Sequence, residues 1–142
     1  MSKITQLINL MQPYVDDGKL LTRSYEELNR CFKDFVFVTD VDQIVACAAL
    51  RHYSDEKKGE IYALAVNKEY HNTGVSSQLM EKLMKRVSDL DLVSIFVLSK
   101  YGGRFFLRDG FVEGVINALP LTRQKSYDHH RKSTIYLKKL PR

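Results

Sequence analysis

Between Gly59 and Arg86 the chain reads GEIYALAVNKEYHNTGVSSQLMEKLMKR, and this stretch restricts the fold more than any other. Ile61 to Val66 is a continuous apolar run of the length of a buried strand. Val75, Leu79, Met80, Leu83, Met84, Val87 and Leu90 then recur at helical spacing with polar residues between them. Gly74 stands where loop becomes helix. The first backbone N–H groups of such a helix lack intrahelical acceptors and carry the positive end of its dipole. The loop HNTGVS, His71 to Ser76, is therefore predicted to hold an anion such as a phosphate group.

The rest of the chain supplies a mixed α/β pattern. Ile4, Leu7, Ile8 and Met11 predict a first helix that ends near Pro13, and Ser24 with Glu27 forms a capping box for a second, SYEELNRCF. Phe35 to Thr39 and Ile44 to Leu50 read as a hairpin across the turn DVDQ, and a strand follows from Ile61 to Val66. After the long helix, which runs to about Leu90, come a strand from Val93 to Leu98, a short helix near Arg104 to Arg108 and a final strand from Thr134 to Leu140. A strand, a helix and a strand in succession imply a parallel pair, and ligands enter at the carboxyl ends of such strands.

With 142 residues, 44% hydrophobic and 27% charged, and no internal repeat or linker, the chain is expected to form one domain, 1–142. No run of eighteen apolar residues argues for a membrane span, and the N-terminus lacks the pattern of a signal peptide, so a cytoplasmic location is expected. Cys31 and Cys47 lack CxxC spacing and read as small core residues; His71, His129 and His130 lack ligand spacing, so no metal is expected. The net charge of +5 suits an acidic ligand. Lys and Arg are spread rather than clustered, which favours a small molecule over nucleic acid.

The loop resembles the acetyl-CoA signature of the GNAT acetyltransferase superfamily, Q/R-x-x-G-x-G/A, laid over His71, Asn72, Thr73, Gly74, Val75 and Ser76. Gly74 keeps the family residue, while His71 and Ser76 depart from it. The blocks LLTRSYEELNRCFKDF, VACAALRHY, GEIYALAV, VLSKYGGRFFLRDGF and INALPLTRQKSYDHHRKSTIYLKKL resemble, in order, the acetyltransferase domain of bacterial N-acetylglutamate synthases. The most specific match is the pattern L-P-x-x-R-Q-x-x-Y-x-x-x-R-x-S, carried by Leu119, Pro120, Arg123, Gln124, Tyr127, Arg131 and Ser133. The KYGGRF stretch, Lys100 to Phe105, departs from the longer members, and the amino-acid-kinase domain that many of them carry has no counterpart, so the chain looks like a stand-alone short form.

The resemblance implies a GNAT fold: a mixed, mostly antiparallel twisted sheet with a central splayed parallel pair, flanked by helices. It implies acetyl-CoA as cosubstrate and transfer of its acetyl group to the amine of L-glutamate, the first step of arginine biosynthesis. Glu60 corresponds to the family's general base, and Ser99 to a hydroxyl that protonates the leaving thiolate. Backbone N–H groups of Leu64, Ala65 and Val66 are implied to polarise the thioester carbonyl. Arg23 and Arg131 correspond to the guanidinium groups that bind the substrate carboxylates, with Ser133 as an added donor. Read alone, Glu60 is a solvated carboxylate at a strand start, Ser99 a loop cap, Arg23 a surface charge and Arg131 part of the solvated run HHRK. No covalent acyl-enzyme is required, and a homodimer stays open because stand-alone domains of this superfamily often pair. Two alternatives remain: a GNAT enzyme for another amine, such as another amino acid or a protein N-terminus, and a non-catalytic acyl-CoA-binding or nucleic-acid-associated module.

Overall fold

The computed structural model describes residues 1–141. Its regular elements run α1 (Lys3–Asp16), α2 (Tyr25–Arg30), β1 (Phe35–Asp40), β2 (Gln43–Tyr53), β3 (Lys58–Val66), α3 (Val75–Asp89), β4 (Ser94–Ser99), α4 (Gly103–Arg108), β5 (Val112–Glu113), α5 (Leu121–Lys125) and β6 (Thr134–Lys139). The strands form one sheet in the order β1-β2-β3-β4-β6-β5. Only β3 with β4 is a parallel pair; the other four pairings are antiparallel. This is the mixed sheet with a central parallel pair that the sequence led us to expect.

The unbroken apolar runs in β2 and β3 follow from burial on both faces of the sheet. On one face α3 brings Val75, Leu79, Met80, Leu83 and Val87 against Val45, Ala48, Leu50, Ile61, Ile95 and Val97. On the other, Ile4, Leu7, Leu10 and Met11 of α1 pack with Ile44, Cys47, Ala49, Tyr62 and Ala65. A third, smaller cluster of Phe96, Leu119 and Ile135 fastens the C-terminal segment to β4. Cys47 is fully buried, which pushes its thiol up to about 12, and it behaves as a small core residue.

Several boundaries differ from the sequence expectation, among them the end of β2, which runs to Tyr53 rather than Leu50. Helix α1 passes through Pro13 and ends at Asp16, closed by the Asp17 N–H bonding back to the Pro13 carbonyl. Proline removes one helical donor, but the apolar face from Ile4 to Met11 is already docked on the sheet, and that tertiary packing carries the last turn onward. Strand β3 starts at Lys58 rather than Ile61, so Glu60 is inside the sheet, opposite Arg51 on β2 and Phe96 on β4. The capping box opens α2 as expected, with the Ser24 hydroxyl accepting from the Glu27 N–H, but the helix ends at Arg30 and a 3-10 turn, Phe32–Asp34, leads into β1. The short elements β5 and α5 carry no periodic signal long enough to read.

The β2–β3 register slips between Cys47 and Ala49, where Cys47 faces Ala65 and Ala49 faces Tyr62. One extra residue of β3 is accommodated there by Ala63, whose φ of 53° lies in the left-handed region. Alanine tolerates this conformation; a β-branched side chain does not. We expect Ala63→Val to lower the unfolding free energy by about 1–3 kcal/mol. Ala63→Gly, which suits the same φ and gives up only a methyl group, should stay within about 1 kcal/mol of the parent. Urea denaturation of the two variants checks this, and a valine variant as stable as the parent would mean that the bulge imposes no strain.

Candidate active site

The parallel ladder between β3 and β4 runs from Lys58 beside Ser94 to Ile61 beside Val97 and then stops. Beyond that point Tyr62 to Val66 diverges from β4, so the edge of β3 that faced its neighbour has no partner strand. The gap opens into a cleft of about 680 Å³ lined by Ile61 to Leu64, Val97 to Ser99, Phe105 and Phe106, together with Tyr14, Leu20, Arg131 and Ser133. A second hollow of about 320 Å³ shares Tyr14, Leu64, His71 and Phe105 with it and extends to Ala65, Val66, Asn72 and Ser76. The splayed strand ends and the turn before α3 thus belong to one continuous groove.

At the turn, Asn72 and Gly74 both have positive φ, 63° and 88°, and Gly74 is the N-cap of α3. Among the described residues no side chain caps this helix, so its first N–H groups are left without a side-chain acceptor, as a site for an anion requires. A side chain on Gly74 would meet no atom within 4 Å; the backbone conformation, not crowding, is what glycine satisfies there. Within the predicted loop the side chains divide. Val75 is buried in the core and offers only its main chain, while the Thr73 hydroxyl donates to the Tyr70 carbonyl. His71, Asn72 and Ser76 line the groove. His71 Nε2 lies 3.2 Å from the Tyr14 hydroxyl, which donates to the Val66 carbonyl. Burial is the main cause that raises the Tyr14 phenol above its ordinary value, so it stays a donor at neutral pH.

Glu60 sits where the two strands part, 5% exposed. Its Oε1 accepts from Arg123 Nε at 2.9 Å and from the Tyr53 hydroxyl at 3.0 Å. Among the described residues no buried side-chain polar atom lacks a partner, so Oε2, which has no protein partner, reaches the cleft. Glu60 is therefore not the solvated strand-start carboxylate of the isolated reading. Burial, followed by the neighbouring Glu60 charge, raises the Tyr53 phenol and keeps it protonated as a donor.

Around this carboxylate the cleft is cationic, with Lys19, Arg23, Arg51, Arg123 and Arg131 against the acids Glu60 and Asp128. The Arg23 and Arg51 guanidinium groups lie 5.0 and 4.8 Å from the centre of the Tyr62 ring, and the Tyr62 hydroxyl donates to Asp34 at 2.6 Å. Arg23 is thus held over an aromatic face in the cleft wall rather than in solvent. Arg131 is not part of a solvated run: its Nε donates to Ser133 Oγ at 3.3 Å and its Nη2 to the Lys19 carbonyl at 3.2 Å. Ser133 is buried. Ser99 lines the cleft, and its Oγ accepts from the Gly102 N–H at 2.8 Å, the loop cap of the isolated reading; its hydroxyl proton is still available to donate.

All the side chains to which the resemblance assigns a site role border the groove except those of Thr73 and Val75, and Gly74 has none. Tyr14, Arg51 and Arg123 border the groove and Tyr53 bonds Glu60, and none of these has a role in the sequence reading. Arg123 did stand in the quoted L-P-x-x-R-Q pattern, and its place there was the available signal. Among the described residues no three His, Cys, Asp or Glu side chains gather to hold a metal ion, and no helix is long and apolar enough to cross a membrane.

The sequence and the fold have counterparts among known proteins. The model of the acetyltransferase (GNAT) family matches residues 2–111. The amino-acid acetyltransferases of Pseudomonas aeruginosa and Pseudomonas putida are 36% and 35% identical over 134 residues, which is 94% of this chain and 31% of theirs. The N-acetylglutamate synthase of Neisseria gonorrhoeae, solved with coenzyme A and N-acetyl-glutamate, superposes on all of this chain with a TM-score of 0.93 at 29% identity and is covered over 34% of its length. The chain thus spans about a third of these relatives. A Mycobacterium tuberculosis protein solved with CoA shares the fold at a TM-score of 0.81 and 23% identity, with 97% of this chain and 94% of that one covered. By its match over most of its length, this chain belongs to the acetyltransferase (GNAT) family.

Proposed function

We propose that the protein transfers the acetyl group of acetyl-CoA to the α-amino group of L-glutamate, as an N-acetylglutamate synthase of arginine biosynthesis. The observation that carries this reading is Glu60, a buried carboxylate with one oxygen tied and the other turned into a cleft that is lined with arginine and continuous with an uncapped helix start. Family membership supports acetyl transfer, the names of the relatives support an amino acid as acceptor, and the Neisseria neighbour binds coenzyme A and N-acetyl-glutamate.

In this reading the turn from His71 to Ser76 binds the phosphates of the cosubstrate through main-chain donors. The unpaired edge of β3 from Leu64 to Val66 takes the thioester arm, and its N–H groups polarise the carbonyl oxygen. Arg23 and Arg131, with Ser133, bind the two carboxylates of glutamate. An amine at neutral pH is mostly ammonium, so Glu60 Oε2 removes a proton before nitrogen attacks the carbonyl carbon. Collapse of the tetrahedral adduct forms the amide and breaks the carbon–sulfur bond; the Ser99 hydroxyl gives a proton to the departing thiolate and regains one from the nitrogen, which loses its second proton as it becomes the amide.

Glu60→Gln keeps an acceptor for Arg123 and Tyr53 but removes the base. We expect kcat to fall by about 10²–10⁴ with the affinity for acetyl-CoA nearly unchanged. Wild-type turnover at neutral pH would remove Glu60 from the chemistry.

Thiol release from acetyl-CoA with a panel of amines tests the acceptor. Glutamate should be used far better than glutamine, which leaves a desolvated guanidinium without its anion, and better than aspartate, which is one methylene short of both anchors. Arg23→Ala and Arg131→Ala should each raise the glutamate KM roughly ten- to a hundredfold, with less effect on acetyl-CoA. Equal rates with glutamate, glutamine and an unrelated amine would leave an acetyltransferase of other specificity. No thiol release with any amine, while acetyl-CoA still binds, would leave a binding module.

A further inference from the structure

Arg123 reaches the centre of the site from a segment that sequence patterning leaves blank. It lies on α5, and its side chain is 18% exposed against 6% for that of Glu60, with Nε at 2.9 Å from Oε1. Nη1 of the same guanidinium donates to the carbonyl and the hydroxyl of Ser126 at 3.1 and 3.0 Å. The group is thus held from two sides. Its helix is held as well: the Leu121 N–H donates to Glu56 at 2.9 Å, Lys58 donates to the Ala118 carbonyl at 3.0 Å, and Gln124 donates to the Leu119 carbonyl at 2.8 Å. Leu119 and Pro120 are fully buried. These bonds tie α5 to the start of β3, two residues before Glu60.

Arg123 contrasts with the other cleft arginines. Arg23 makes no side-chain hydrogen bond among the described residues, and Arg51 has the Tyr53 hydroxyl and the Glu60 charge beside it; both lie over the Tyr62 ring, and neither forms an ion pair with an acid among the described residues. Two of the three nitrogens of Arg123 are already occupied, one of them by the Glu60 carboxylate itself, so its charge is answered within the protein. Arginine commonly grips a carboxylate with two parallel bonds, one to each oxygen. Here a single nitrogen, Nε, and the Tyr53 hydroxyl converge on Oε1 alone. The torsion of the Glu60 carboxylate is fixed by this convergence, and one oxygen is left for the cleft.

Resting on the acetyl-transfer reading above, we infer that Arg123 is a positioning residue for the base: with Tyr53 it binds Oε1 of Glu60 and so presents Oε2 to the acceptor ammonium. A proton acceptor must lie within hydrogen-bond reach in the right orientation, and small displacements are costly. Arg123 does not itself touch the substrate. Its loss should therefore appear in turnover rather than in binding.

The test measures Arg123→Met and Arg123→Lys, alone and combined with Glu60→Gln, in the full chain. For Arg123→Met we expect kcat to drop about 10- to 100-fold, the loss of a hydrogen bond to a charged group, with the KM for acetyl-CoA within about twofold of the parent. Arg123→Lys, which keeps a cationic donor, should recover part of kcat. Combined with Glu60→Gln, the Arg123→Met change should cost little more than Glu60→Gln alone, because it acts through the same carboxylate. Losses that multiply in the double variant, or an unchanged kcat in Arg123→Met, would overturn the inference. Should Arg123→Met unfold, Ser126→Ala, which removes one partner of Nη1, should still lower kcat several-fold without changing the KM for acetyl-CoA, and an unchanged kcat there counts against the inference. A crystal structure of Arg123→Lys or Arg123→Met reads the geometry whatever the acceptor: we expect the Glu60 carboxylate to turn, and an unmoved carboxylate would overturn the assignment. Absence of thiol release by the parent protein with every amine would defeat the functional reading alone, and the position of Glu60 in the variant would still decide the role of Arg123.

Discussion

Two parallel strands that stop pairing partway leave backbone donors and acceptors without a neighbour, and a sheet interior does not tolerate that unless something else occupies the gap. In this protein the break follows Ile61 and Val97, and the bulge at Ala63 lies just beyond it. The bulge makes β3 bend as it leaves β4 while it stays in register with β2 at both ends. The Tyr14 hydroxyl answers one of the exposed carbonyls, that of Val66. The remaining edge faces a cleft. Both hollows, the turn before α3 and the position of Glu60 at the fork follow from this one interruption of the ladder.

Charge is arranged around the fork to suit a single buried anion. A carboxylate at 5% exposure is costly unless it is paired, and Glu60 has a cation and a phenol on one oxygen. The other arginines of the cleft form no ion pair with it among the described residues, although Arg51 stands opposite Glu60 in the sheet and feels its charge. Arg23 and Arg51 both lie over Tyr62, whose own hydroxyl is tied to Asp34. The cleft keeps an excess of positive charge that an acidic ligand would balance. The net charge of +5 hinted at such a partner, but a sum over the chain says nothing about where the excess resides.

What could be read in advance was whatever repeats at a short period. The α3 stripe and the apolar runs of β2 and β3 obey simple spacing rules because they face a core on one or both sides, and the parallel pair followed from their order. The Val41–Asp42 turn of the first hairpin, with φ of 45° and 65°, was equally local. Pro13 misled because propensity describes an isolated helix, whereas α1 is held by its contacts with the sheet. The true start of β3 was hidden because Lys58, Gly59 and Glu60 carry no apolar signal, although Gly59 and Glu60 are buried. Glycine at 59 has a packing reason: a side chain there would come within 2.7 Å of Leu92 and 2.9 Å of Leu50. Arg123 was visible as part of a pattern but not as a partner of Glu60, since that contact joins residues 63 positions apart.

The arginine-lined part of the cleft is assembled from both ends of the chain, which is why no local motif could announce it. Arg23 comes from the segment after α1, while Arg131 and Ser133 come from the loop before β6. The two segments meet directly where Arg131 Nη2 bonds the Lys19 carbonyl, across 112 residues of sequence. Near the turn before α3, the last turn of α1 brings Tyr14 to Val66 and His71 at once. Helix α1 and the loop that follows it therefore touch both halves of the groove, one through a phenol and the other through a backbone carbonyl. Their position is set by the packing of Ile4, Leu7, Leu10 and Met11 on the face of the sheet that also carries Tyr62 and, by alternation along β3, Glu60. The passage of α1 through Pro13 is thus a condition for the site, because a helix that stopped there would leave Tyr14 without a fixed place beside the fork.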